Sequence, residues 1–191
     1  MNRIAENSKA MLSGLWDQLP TAPLIALLAL EADQISKLWI RESLVLGESV
    51  SHEGVLRITR IANSGVIFGA PAPLAVSLVL PLLVIGMCLF LYRRYVLSNS
   101  MLLNVATGLF IGGSLGNLVE RIAFGHVTDF IEVISSGGLV RTTFNVADLC
   151  IILGIILLEI FFVRLLLKKI PRHGHLIPYL LKMRRGPKDS P

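Results

Sequence analysis

Four apolar runs punctuate the chain: Ala22 to Ile40, Leu74 to Tyr92, Met101 to Val119 and Phe144 to Val163. A helix of roughly 20 residues crosses a hydrocarbon core about 30 Å thick, so each run predicts a membrane-spanning helix. The second run has no charge at all, whereas the first holds Glu31, Asp33 and Lys37 and the fourth holds Asp148 and Glu159. Asp148 falls four residues after Phe144, about 6 Å into the expected helix. Hydrocarbon penalises a charged carboxylate by several kcal/mol or more, so a carboxylate at this depth needs a reason. Between the first two runs, VSHEGVLRITRIANSGVIFGA is rich in β-branched residues and bounded by glycines, which predicts short strands on the membrane surface. No internal repeat suggests a second domain.

Composition supports that reading. Of 191 residues, 53% are hydrophobic and only 16% charged, with mean hydropathy +0.69, too apolar for a soluble domain of this size. The expected fold class is an all-α membrane protein of four transmembrane helices with a small extracytoplasmic β-rich element. Its domains are an N-terminal arm 1–19, a four-helix body 20–165 and a basic tail 166–191. Arg3 and Lys9 before the first apolar run imitate a secretory signal, but the run continues through Glu31, Asp33 and Lys37 with no clear small-x-small cleavage site, and three more spans come after it.

Charge sets the orientation. Arg3, Lys9, Arg93, Arg94, Arg164, Lys168, Lys169, Arg172, Lys182, Arg184, Arg185 and Lys188 fall on one side, against Lys37, Arg41, Arg57, Arg60, Arg121 and Arg141 on the other. Both termini are therefore expected in the cytoplasm. Much of the net charge of +5 comes from the tail, which suits anionic inner-leaflet lipid. Nucleic acid is not an expected partner, because no folded basic domain presents those charges. Cys88 and Cys150 lie inside spans without metal or disulfide spacing and read as packing residues. No cofactor or metal is expected, and a monomer is the expected oligomeric state.

With this topology the unusual polar residues gather at the outer face. Asp33 and Lys37 stand i, i+4 on one helical face, the favourable order for an ion pair. Asn63, Ser64 and Gly65 mark a turn. GGSLGNLVER combines glycines that let helices approach closely with Asn117 and Arg121, and the arginine fork suits a peptide carbonyl or carboxylate. Asp129 in VTDF and Asp148 in FNVAD can meet if the connection Glu120 to Thr143 dips back toward the membrane. Two carboxylates in a low-dielectric site share a proton, so one acts as base toward water and the other as acid toward a peptide oxygen. Competing chemistries are poorly supplied: there is no HExxH motif, and Ser36 and Lys37 are adjacent in a helix and do not face each other.

DQISK (33–37), NSGVIF (63–68), GGSLGNLVER (112–121), VTDF (127–130) and FNVAD (144–148), in this order on four spans, resemble lipoprotein signal peptidase, the bacterial signal peptidase II family. The resemblance covers about residues 20 to 165. It implies a membrane aspartic endopeptidase that removes the signal peptide from diacylglyceryl-modified prolipoproteins, cutting before the lipidated cysteine. It implies Asp129 and Asp148 as the catalytic pair. Asn63, Gly65, Asn117, Arg121 and Asn145 are implied to orient substrate or the dyad, and Asp33 and Lys37 match the acid–base pair of helix one. Its partners are the prolipoprotein and membrane lipid. Ser36 replaces the commoner threonine, Glu120 stands where aspartate is usual, and Ile67 replaces alanine. Two other readings remain open: a small transporter or ion pathway using Glu31, Asp33, Asp148 and Glu159, and a non-enzymatic assembly protein contacting others through its glycine-rich third span.

Overall fold

The computed structural model describes residues 21–50, 55–65, 73–95, 100–135 and 141–169. The expected arm 1–19, most of the basic tail and Ile67 lie outside them. In chain order the elements are α1 (Thr21–Ser43), β1 (Leu56–Asn63), α2 (Leu74–Tyr95), α3 (Met101–Phe124), β2 (Val127–Ile134), β3 (Arg141–Phe144) and α4 (Val146–Lys169). The chain divides into two units, Met1–Leu158 and Glu159–Pro191. The first carries every element except the last part of α4, and the second contributes helical residues 159–169.

Three helices, α2, α3 and α4, are long and apolar enough to cross a membrane. α1 is long enough, but Glu31, Asp33 and Lys37 fall in its middle. Two expected boundaries are corrected. α3 runs on to Phe124, so Glu120 and Arg121 project from a helix and not from a loop. It stops where Gly125, at φ 73, takes the left-handed conformation and returns its N–H to the Arg121 carbonyl at 3.0 Å. The fourth helix begins at Val146, because Phe144 belongs to β3. Asp148 therefore sits in the first helical turn, shallower than an apolar run starting at Phe144 implies.

α3 is the central helix. Its buried face includes Leu103, Ala106, Phe110, Gly112, Gly113, Asn117 and Glu120, while α2 buries only Ser77, Ile85 and Cys88. At Gly112 a Cβ would collide with the Ala26 carbonyl of α1. At Gly113 it would lie 2.5 Å from the Ala147 carbonyl and 3.1 Å from Cys150 Cβ of α4. Glycine at these two positions lets α1 and α4 approach α3 at backbone distance, the close packing that association in lipid depends on.

The sheet is antiparallel in the order β1-β2-β3. β1 pairs with β2 through Ile58↔Ile131 and then Ile61↔Asp129, with a register shift between them. Such a bulge bends the strand and re-aims the residues beyond it, here Asn63. β2 pairs with β3 through Ile131↔Phe144 and Glu132↔Thr143. The expected strand content of the first connection is thus a single strand, β1, among the described residues. The second connection, expected only to dip toward the membrane, supplies the other two.

Candidate active site

The site is organised by the way α4 starts. Asn145 precedes the helix and Asp148 is its third residue. The Asp148 N–H donates to Asn145 Oδ1 at 2.9 Å, and the Asn145 N–H donates back to Asp148 Oδ2 at 3.1 Å. This reciprocal arrangement is a capping box, which satisfies two helix-end donors at once. The N–H between them, on Ala147, donates to Asp33 Oδ1 of α1 at 2.8 Å. The positive end of the helix dipole favours a carboxylate in this turn. The requirements of helix initiation therefore fix the side chain of Asp148.

Asp129, on β2 and 1% exposed, accepts three hydrogen bonds. Asn63 Nδ2 and Thr143 Oγ1 donate to its Oδ2 at 2.8 and 3.0 Å, and Asn145 Nδ2 donates to its Oδ1 at 2.7 Å. Asn63 is itself oriented, because its Oδ1 accepts the Gly65 N–H at 2.8 Å, which turns its amide nitrogen toward Asp129. Asn145 thus serves both carboxylates, its nitrogen holding Asp129 while its oxygen and backbone hold Asp148. A second bridge runs through Asn117, whose Nδ2 donates to Asp148 Oδ1 at 2.8 Å and whose Oδ1 accepts from Asn145 Nδ2 at 3.2 Å.

Behind this layer lies a fully buried ion cluster. Lys37 Nζ lies 2.8 Å from Asp33 Oδ2, 2.8 Å from Asn117 Oδ1 and 3.4 Å from Glu120 Oε2. Its three donors thus face three acceptors, one of them an asparagine of the bridge. Gln34 Nε2 donates to Asp33 Oδ2 and to the Gly116 carbonyl, both at 3.0 Å. Glu120 pairs with Arg41 and accepts the Thr128 N–H at 2.7 Å and the Thr128 hydroxyl at 3.0 Å. The longer side chain at 120 therefore reaches its partners and ties the start of β2, one residue before Asp129, to α1 and α3.

Arg121 is buried, donates through one terminal nitrogen to the Gly65 carbonyl at 3.0 Å, and leaves Nε without a hydrogen-bond partner among the described residues. It lines a cavity of ≈ 380 Å³ together with Asn63, Asn117, Asp129, Asn145 and Asp148. The remaining wall is apolar, with Leu80, Pro81 and Val84 from α2, Phe110 from α3, and Ile151 and Ile155 from α4. Two carboxylates at the polar end of an apolar slot can activate water against a carbonyl carried by an otherwise apolar chain.

All nine expected site residues fall in this one assembly: Asn63, Asn117, Arg121, Asp129, Asn145 and Asp148 on the cavity, Gly65 against Arg121, and Asp33 and Lys37 behind. Sequence reasoning missed Thr143, Gln34, Arg41 and Thr128, whose partners Asp129, Gly116 and Glu120 lie from 8 to 82 residues away. It also missed the capping spacing Asn145-x-x-Asp148, which was legible and would have placed the start of α4.

A family model described as signal peptidase (SPase) II matches residues 25–164. The lipoprotein signal peptidase of Moorella thermoacetica is 34% identical over 136 residues, covering 71% of this chain and 87% of its own length. That of Halothermothrix orenii is 32% identical over 140 residues, covering 72% and 92%. Two solved bacterial membrane enzymes, determined by the in meso method at 2.3 and 1.9 Å, superpose with TM-scores of 0.69 and 0.63. They are 25% and 26% identical, cover 81% and 76% of this chain, and are each covered over 94% of their length. By its family match and by these relatives, the chain belongs to the signal peptidase II family.

Proposed function

We propose that Asp129 and Asp148 are the catalytic dyad of this peptidase. The enzyme removes signal peptides from prolipoproteins, as its family does; the further reading is that the substrate carries a diacylglyceryl group and is cut before the lipidated cysteine. The observation that carries the assignment is the pair of carboxylates, one on a strand and one on a helix, joined through Asn145 and Asn117 at the polar end of an apolar cavity.

In this reading a water between the carboxylates gives a proton to the ionised one while its oxygen attacks the scissile carbonyl carbon. The carbonyl oxygen takes the proton held by the other carboxyl. Collapse of the tetrahedral intermediate breaks the C–N bond, and a proton passes to the leaving nitrogen. Arg121 Nε and the backbone around Gly65 orient the substrate strand, while Asn63, Asn117 and Asn145 hold the carboxylates. Asp33 and Lys37 support Asn117 and the start of α4.

α1 serves as the fourth span, because Asp33 and Lys37 are both 0% exposed and turned away from lipid. Both termini then lie in the cytoplasm, with the sheet and dyad at the extracytoplasmic face of the inner membrane, where a signal peptide ends. An ion pathway needs carboxylates spread through the depth and lining one route, whereas Asp33 and Asp148 lie in one cluster with Glu120 and Asp129, and Glu31 is exposed on α1 outside it.

The test is cleavage of a purified diacylglyceryl prolipoprotein in nanodiscs by Asp129→Asn and Asp148→Asn. Each should lose about 10²- to 10⁴-fold in rate, the usual contribution of a general acid or base, while still inserting. Wild-type turnover by either variant overturns the assignment.

A further inference from the structure

α2 carries a proline in its interior, Pro81, with helix on both sides of it. Proline has no N–H, so the Ser77 carbonyl four residues earlier receives no helical hydrogen bond. Ser77 is 1% exposed, and its hydroxyl is engaged elsewhere, donating to the Leu74 carbonyl at 2.8 Å. In a spanning helix a carbonyl freed in this way needs a partner from outside the helix, or a cavity to face.

That cavity is the one that holds the dyad. A helical carbonyl points along the axis toward the residue four positions on, so the Ser77 oxygen lies beside Pro81, which lines the cavity together with Leu80. On α4 the lining runs from Asp148 to Ile155, about 10 Å of helix. Along that stretch, below Asn117, the walls contributed by α2, α3 and α4 carry one polar side chain among the described residues, Ser114. An extended peptide advances about 3.3–3.6 Å per residue, so the stretch accommodates about three residues. Each brings an N–H that an apolar wall leaves unpaired, at a cost comparable to a lost hydrogen bond. An acceptor without a donor thus stands beside the path of donors without acceptors.

We propose that the Ser77 carbonyl binds the substrate backbone, accepting the N–H of one of the three residues that precede the scissile bond. The inference rests on the dyad assignment, which places the cut at the polar end of the cavity and the apolar signal segment along its wall. Pro81 acts through the proton it lacks, because any other residue there would return the oxygen to the helix. A single acceptor at a fixed distance from the dyad keeps the strand from sliding, so the same carbonyl stands between Asp129 and Asp148 in every turnover.

The test couples a change in the enzyme to a change in the substrate. Pro81→Ala restores an N–H to α2 and takes the Ser77 carbonyl back into the helix; it should unfold no earlier than wild type, since alanine is the better helix former. Its kcat/KM on a diacylglyceryl prolipoprotein peptide in nanodiscs should fall by about 2- to 12-fold, the contribution of one neutral hydrogen bond. Ester links then replace, one at a time, the N–H of each of the three residues before the cut, leaving the scissile amide intact. One of the three esters should lower wild-type cleavage by the same factor and leave cleavage by Pro81→Ala unchanged, the coupling expected of two partners in one bond. Ser77→Ala removes the hydroxyl and keeps the carbonyl, so it should respond to that ester as wild type does. A proline that only bends or packs α2 would alter the rate on every peptide alike. Esters that act equally on wild type and Pro81→Ala, undiminished cleavage by Pro81→Ala, or loss of the ester effect in Ser77→Ala each overturn the proposal. A wild-type chain that leaves the all-amide peptide uncut overturns the dyad reading as well, whereas cleavage without coupling overturns this inference alone.

Discussion

Asn145 holds two structural duties that substitution can separate. Its side-chain oxygen caps α4 through the Asp148 N–H, and its side-chain nitrogen holds Asp129 at 2.7 Å. In Asn145→Ala both are lost. Removing a helix cap costs about 0.5–2 kcal/mol, and Asp129, almost fully buried, is left with Asn63 and Thr143 as donors. In Asn145→Ser a hydroxyl remains to accept the Asp148 N–H, but it is too short to reach Asp129. The serine variant should therefore unfold close to wild type in a denaturant titration, with alanine measurably less stable. Cleavage should fall in both. A hydrogen bond to a charged group contributes about 1.5–3 kcal/mol, so losing it where the dyad must be held predicts a drop of roughly 10- to 150-fold in kcat/KM. The assay is prolipoprotein cleavage in nanodiscs beside the titration on the same preparation. Full activity in Asn145→Ser would refute the claim that this amide positions Asp129, and equal destabilisation by serine and alanine would refute the separation of cap from bridge.

Two further perturbations probe the support of the site. Lys37→Met removes the cation facing Asp33 and Glu120 and leaves buried carboxylates uncompensated, which should destabilise the protein by about 3–5 kcal/mol; an unfolding midpoint equal to wild type would show that the cluster is not held by this lysine. Gly113→Ala puts a Cβ 2.5 Å from the Ala147 carbonyl, so α4 must move away from α3, at an overpacking cost of about 1–3 kcal/mol. Because Ala147 adjoins Asp148, cleavage should fall by more than stability alone explains, and a variant that is less stable but fully active would count against that coupling.

The legible and illegible parts of the chain differ for physical reasons. α2 is uncharged over its apolar length and faces outward on most sides, so length and hydropathy suffice to find it. α1 was legible through its polar residues, because Asp33 and Lys37 lie one turn apart and pair across it at 2.8 Å. β2 was hidden. VTDFIEVI is buried on both sides over most of its length, which erases the alternation that identifies a half-exposed strand. The apolar character of Phe144 pulled the predicted start of the last helix into β3, although Asn145-x-x-Asp148 carries the true boundary. Thr143 and Thr128 could not be singled out at all, since Thr143 reaches Asp129 only once β2 and β3 pair, and Thr128 reaches Glu120 only once the chain turns back after α3 at Gly125.

The site joins residues of α1, α3, β2 and α4, and the ion cluster explains how these elements keep register. Asp33 grips the first turn of α4, Glu120 grips the first residues of β2, and Lys37 lies between those two carboxylates while donating to Asn117. Asp148 and Asp129 each stand next to a residue whose backbone is held this way, Ala147 and Thr128. Buried ion pairs contribute little net stability compared with apolar packing of the same volume, so the cluster is poorly explained as a means of strengthening the bundle. A rigid connection between strand and helix explains it better. Catalysis by two carboxylates depends on their separation, and supporting groups that lock a catalytic pair are what hold such geometry to within about half an ångström. Helix packing at Gly113, capping at Asn145 and charge pairing at Lys37 then act on the same quantity, the placement of Asp148 against Asp129.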